Sequence, residues 1–295
     1  METLVDQYGE NALMLALGLI VGLVFGFAAY RSRFCLRAAT VEVAEGSFGP
    51  KLTIWLTAFM TALVCVQSAV WFGALDVGTA RQLAATGSVS GAIVGGLMFG
   101  VGMILARGCA SRLLVLSASG NLRAIVTGLV LTLTAQASLR GVLAPAREAV
   151  ASLWTVSGGD ARVLLSQESG VFPIMLILCL LFLLAVLFVG HRRGASHGTL
   201  VAASLVGFIV YVGWQVTYLI MEASFEIVQV QSVTFTGPST DTLMALVNAR
   251  SVPAGFGVGL VPGVFIGAMV AALLKGEARL QRFEPDTPME RYLVG

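Results

Sequence analysis

Seven stretches of the chain run for about twenty residues with almost no charge: 11–30, 52–73, 88–106, 121–139, 171–189, 199–219 and 252–274. Each is long enough for an α-helix to cross a hydrocarbon layer roughly 30 Å thick. Polar residues collect between them. The pattern predicts an all-α integral membrane protein with about seven spanning helices. Two of the apolar runs continue past a polar break into a second segment too short to span, which predicts short broken or re-entrant helices as well. Backbone of that kind is tolerated at membrane depth only where it lines a cavity or is buried in protein.

Composition strengthens this picture. Of 295 residues 57% are apolar and 12% charged, and mean hydropathy is +0.89; a soluble domain carries about twice that share of charge. A net charge of +2, with no basic run, excludes nucleic-acid binding. Residues 1–10 hold Glu2, Asp6 and Glu10 and no Lys or Arg, the reverse of a secretory leader. If the N-terminus lies outside, thirteen Lys and Arg residues fall in inward connections and five in outward ones, so the positive-inside rule predicts N-out. The apolar restart at Tyr292–Gly295, after the polar stretch 275–291, reads as the start of a further span, with residues expected beyond the end of the chain.

The same pattern of residues occurs twice. GLVFGFAAYRSRFC (22–35) and GLMFGVGMILARGC (96–109) share G-L-x-F-G-x6-R-x-C at a separation of 74. Gly22, Leu23, Phe25, Gly26, Arg33 and Cys35 recur as Gly96, Leu97, Phe99, Gly100, Arg107 and Cys109. Each copy is a glycine-bearing apolar helix that runs into a break presenting Arg and then Cys. Charge in such a break is costly and is normally paired or functional. Within the cysteine motifs Arg33, Arg37, Arg107 and Arg112 have no carboxylate; the nearest are Glu42 and Glu45. Unpaired cations beside a cavity imply an anionic guest. The alternative is that they face the cytoplasm as topology signals, which suits Arg37 and Arg123 best.

Cys65 and Cys179 lie in mid-span and read as small packing residues. Cys35 and Cys109, at polar breaks, are the chemically useful pair. His191 and His197 belong to a distant loop, so a Cys–His nucleophile and a Cys/His metal site both lack partners. The thiols then serve as weak S–H donors or soft contacts, and a soft sulfur-containing anion matches thiols and arginines together. No cofactor or metal is expected, and no GxxxxGK[ST] loop for ATP is present.

Two further stretches carry weaker readings. Gly237-Pro238 in SVTFTGPSTDTL reads as a turn, either an ordinary outside connection or an anion cradle. Residues 74–86 read as a short interfacial helix or a plain connection.

RSRFCLRAA (31–39) and ARGCASRLLVLSASGNLRAIVTG (106–128) resemble the signature segments of the YeeE/YedE family of sulfur-transport membrane proteins. SVTFTGPSTDTL (232–243) and GFGVGLVPGVFIGAMVAALLKG (255–276) resemble its second half. The resemblance implies a bacterial inner-membrane importer of thiosulfate, or of a related sulfur or selenium anion. It also implies an hourglass-shaped fold of inverted repeats and a small cytoplasmic sulfur-carrier protein as partner. On that basis residues 1–140 form a first membrane repeat, 141–170 an outside connection and 171–295 a second repeat. Cys35 and Cys109 match two family cysteines, and the path residues expected are Cys35, Cys109, Arg33, Arg107, Arg112 and Ser111. A third family cysteine follows the segment that here reads MERYLVG (289–295), at the end of this chain. Two other readings share the same residues: a membrane-embedded sulfurtransferase holding a persulfide on Cys109, and a scaffold for sulfur-carrier proteins.

Overall fold

The computed structural model describes residues 2–78, 80–159, 171–224, 228–248 and 254–281. It opens with a short helix, α1 (Glu2–Tyr8), and then α2 (Glu10–Ser32), a break, and α3 (Leu36–Ala44). After α4 (Pro50–Trp71) comes a one-turn helix, α5 (Arg81–Ala84), where 74–86 allowed either a helix or a plain connection. The second copy of the pattern is α6 (Val89–Leu105), a break, and α7 (Ala110–Ala118). Then follow α8 (Leu122–Arg140), α9 (Ala144–Ser152), α10 (Phe172–Arg192), α11 (His197–Ala223), α12 (Thr236–Asn248) and α13 (Phe256–Leu274). Two-residue strands at Gly87–Ser88 and Thr155–Val156 pair antiparallel and tie the start of α6 to the end of α9. Among the described residues seven helical stretches are long and apolar enough to cross a membrane, and each overlaps one of the seven runs read from the sequence. The chain is an all-α, multi-pass membrane protein.

Two layers of contact organise the bundle. α2 and α13 run parallel and almost touch backbone to backbone. A Cβ on Gly18 would overlap the Phe256 carbonyl and one on Gly26 the Val264 carbonyl, while Gly259 and Gly267 meet Leu15 and Leu23 in return. Small residues every fourth position allow this approach, and van der Waals packing then replaces the hydrophobic effect that lipid cannot supply. Phe25, Leu260, Val264 and Ala268 are buried in the resulting core. The other layer is α11, which lies against both α2 and α4; its Gly207 sits on the backbone of Ala58 and Ala62.

The Gly237-Pro238 turn expected from the sequence is not a turn. These residues open α12. Proline lacks only an N–H that the first helical turn leaves unused, so it starts a helix as readily as it ends one. Before α12 the chain runs without regular structure beside α11: Thr217 Oγ1 donates to the Gln231 carbonyl at 2.7 Å and accepts from its N–H at 3.1 Å. Ser232 Oγ donates to the Val210 carbonyl at 2.5 Å, and Phe235 meets Phe25 with ring centroids 5.3 Å apart. The side-chain partners satisfy backbone that would otherwise be stranded among apolar helices.

Candidate anion path

The repeat read from the sequence is a repeat of backbone geometry. Arg33 and Arg107 both have φ +55°, and they are the non-glycine residues in the left-handed region among the described residues. Phe34 N–H reaches back to the Ala29 carbonyl at 3.2 Å, and Gly108 N–H to that of Met103 at 3.1 Å. Arg33 N–H bonds the Tyr30 carbonyl at 3.2 Å and Arg107 N–H that of Ile104 at 3.3 Å. The dihedral and both hydrogen bonds repeat at the interval of 74. This is the Schellman closure of a helix, with arginine where glycine usually stands, at a cost of roughly 1–2 kcal/mol for each left-handed residue. The cysteine then caps the next helix: Ala39 N–H bonds the Cys35 carbonyl at 3.2 Å, and Leu113 N–H that of Cys109 at 2.9 Å. Each thiol therefore stands at the positive end of a nine-residue helix.

The elbows differ in what surrounds the sulfur. Cys109 Sγ and Ser111 Oγ are 3.2 Å apart, a hydrogen bond in which either can donate. The position matching Ser111 is Arg37, whose Nε is buried without a hydrogen-bond partner. Glu42, which the sequence offered as a counter-charge, serves a helix end instead. It is buried and accepts the N–H of Leu52 at 2.8 Å, capping α4.

The two elbows share two cavities. The first, about 510 Å³, is lined by Arg33 from one elbow and Arg112 from the other, with Tyr30, Ser119, Glu277, Arg279 and Gln281. Three guanidinium groups against one carboxylate give its described lining a net charge of +2. Arg33 is not unpaired, as the sequence predicted, because Glu277 lies 3.7 Å from its Nη2. That partner comes from the other end of the chain, where no local reading could find it. The Tyr30 hydroxyl donates to Glu277 at 2.8 Å. This bond holds the Glu277 carboxyl below its ordinary pKa, and Lys275 and Arg33 add to the effect. The segment after α13 is clipped in place: Arg279 N–H bonds the Ser119 carbonyl at 3.2 Å, Gln281 N–H that of Gly120 at 2.9 Å, and the Asn121 amide donates to Gln281 Oε1 at 2.7 Å.

The second cavity, about 420 Å³, is apolar and aromatic. Phe34 from the first elbow and Ser111 from the second line it, together with Phe25, Trp55, Trp214 and Phe235 among others. Its described lining includes neither thiol, and the same holds for the first cavity. Arg33 and Phe34, just before Cys35, and Ser111 and Arg112, two and three residues after Cys109, do line them. Arg107 is exposed and lines neither. Tyr30, Glu277, Arg279 and Gln281 were missed by sequence reasoning. The only available signal was the alternation of Lys275, Glu277 and Arg279 directly after a span. Among the described residues no cluster of His, Cys, Asp and Glu could hold a metal. His191 and His197 stack on each other, 4.3 Å between ring centroids, at the α10–α11 connection.

Spanning helices with two broken ones, whose elbows meet at a cationic cavity at one end of the bundle, are the build of a membrane transporter for an anion. The sulphur-transport family profile matches residues 31–295, and the chain belongs to that family; it is a transporter of a sulfur-containing anion rather than an enzyme. It is 25% identical to the thiosulfate transporter TsuA of Escherichia coli (strain K12), over 96% of this chain and 81% of that one. It is 33% identical to TsuA of Spirochaeta thermophila over 100 residues, which cover 33% of this chain and 28% of that one. The segment 289–295, with the tail from residue 282, lies outside the described residues.

Proposed function

We propose that this protein imports thiosulfate across the bacterial inner membrane, along a path that passes the two arginine–cysteine elbows. The observation that carries the reading is Arg33 and Arg112, from separate elbows, lining one cavity whose described residues carry a net charge of +2. That charge suits a dianion, and a thiol hydrogen bond suits its soft terminal sulfur better than a hard oxyanion. Cys109, bonded to Ser111, and Cys35 supply the S–H contacts at the helix ends, with Arg107 the outlying cation. The path lies between two membrane repeats, residues 1–140 and 171–295, in an hourglass of inverted repeats. The N-terminus is outside, and the cavity around Arg33 opens to the cytoplasm, where a small sulfur-carrier protein takes over the anion. The similarity to the two thiosulfate transporters and the family membership support the substrate; the distribution of Lys and Arg supports the orientation.

Uptake of labelled thiosulfate into proteoliposomes holding the full chain tests this. Uptake that unlabelled thiosulfate abolishes and equal sulfate leaves largely intact is the expected result. No uptake above empty vesicles, or equal competition by sulfate, overturns the assignment of thiosulfate.

A further inference from the structure

The cationic and the aromatic cavity are separated by the elbows themselves. Arg33 lines the cationic cavity and its neighbour Phe34 the aromatic one; on the second elbow Ser111 lines the aromatic cavity and its neighbour Arg112 the cationic one. Successive residues that face different spaces place their backbone between those spaces, so a single layer of chain from each elbow forms the partition. Cys35 and Cys109 belong to the same two elbows, partly buried and outside both described linings. An anion that goes from one cavity to the other passes between the elbows.

What closes the partition is apolar. Phe34 packs against the core that holds Phe25, Val115 and Ala118, and so does Phe235, which arrives from a third element. The Phe235 ring meets that of Phe25 at 5.3 Å, and the chain that carries it is tied to α11 through Thr217 and Ser232. An apolar residue often follows a helix closure of this kind as a staple, yet the backbone here does not require one. The position matching Phe34 is Gly108, and that elbow closes with the same pair of hydrogen bonds and no side chain. A Cβ on Gly108 would stand 3.3 Å from Cγ of Arg112. The second elbow thus gives up bulk where its arginine lies, while the first carries a phenyl ring into the space beside the thiols' path.

We propose that Phe34 and Phe235 form a selective barrier between the two cavities and determine which dianions pass; the inference rests on the transport reading above. An ion that crosses an apolar constriction sheds water, and the cost rises with how tightly it holds that water. Sulfate presents four strongly hydrated oxygens. Thiosulfate replaces one of them with a large, polarizable sulfur, which gives up water more easily and suits aromatic ring edges, where the positive part of the ring quadrupole lies. The arginines attract any dianion. The rings supply the choice between dianions.

Initial uptake of labelled thiosulfate and of labelled sulfate, measured separately in proteoliposomes holding the full chain, gives the ratio that tests this. The parent should favour thiosulfate. Phe34→Ala and Phe235→Ala should each lower the ratio about tenfold by admitting sulfate, the scale on which one lost apolar contact changes discrimination. The two residues lie on different elements, so a folding defect in one variant leaves the other informative. Phe34→Leu keeps apolar bulk and should hold the ratio near that of the parent. If thiosulfate and sulfate uptake fall together in the alanine variants, or the ratio does not move, the rings serve packing alone; the barrier is then overturned and the transport reading stands. If the parent takes up no thiosulfate, or takes it up no better than sulfate, the transport reading fails and the barrier fails with it.

Discussion

At the residue scale, cysteine position separates function from packing. Cys109 caps α7 and bonds Ser111, and Cys35 caps α3; Cys65 and Cys179 lie within α4 and α10, in ordinary spans. In a strain lacking thiosulfate uptake, with thiosulfate as sole sulfur source, Cys109→Ala should abolish growth and Cys35→Ala should impair it strongly. Cys65→Ala and Cys179→Ala should be close to neutral, and undiminished growth of the Cys35/Cys109 double variant would remove the thiols from the path. Arg33 lets backbone and charge be tested apart. Arg33→Gly relieves a left-handed arginine, so thermal stability should hold or rise by about 1 kcal/mol while uptake falls at least tenfold. Were Arg33 only a topology signal, uptake would survive with the stability. Glu277 gives the pH dependence. Its lowered pKa means the pair with Arg33 is complete above the ordinary glutamate range and is lost as pH falls through the lowered value. Acidification should therefore tighten binding at the Arg33 cavity. Glu277→Gln, which removes the one carboxylate of the described lining, should do the same at neutral pH and remove the pH dependence, as read by titration of labelled thiosulfate.

At the element scale, the repeat places equivalent glycines in unequal surroundings. Gly26 is pressed against the Val264 carbonyl on α13, whereas its counterpart Gly100 on α6 has nothing within 4 Å of a Cβ. Gly26→Leu should cost more than the roughly 1–3 kcal/mol of ordinary overpacking, because backbone rather than a side chain must move. Gly100→Leu should be tolerated, and detergent size-exclusion profiles and melting curves of the two variants would show the difference. The sequence made the spans legible because twenty apolar residues in a row have few alternatives, and it made the elbows legible because an Arg-x-Cys in register with glycines is not a product of apolar bias. It did not make α12 legible. A thirteen-residue helix headed by Thr236-Gly237-Pro238 carries the same signals as a turn, and only its packing on α13 and α8 decides the matter. Nor could it pair Arg33 with Glu277 or bring Arg33 and Arg112 into one cavity, since those contacts depend on α2 and α13 lying side by side.

At the scale of the whole molecule, the cavity of Arg33 lies just past the last residue of α13, at one end of that span, and the remaining question is which side of the membrane that end faces. The thirteen-to-five division of Lys and Arg favours an N-terminus outside, but several of the thirteen belong to the elbows and so count toward binding as well as topology. Reactive markers far from the path avoid that ambiguity. Ser152 closes α9 and is exposed, and Arg193 follows α10 and is exposed, on the other side of that span. With a membrane-impermeant maleimide, Ser152→Cys should be labelled in intact spheroplasts above the level of the parent chain. Arg193→Cys should be labelled only in inverted vesicles. That result sends Arg33, Arg112 and Glu277 to the cytoplasm and makes theirs the cavity from which the anion leaves. The reverse pattern would make it the cavity that receives the anion.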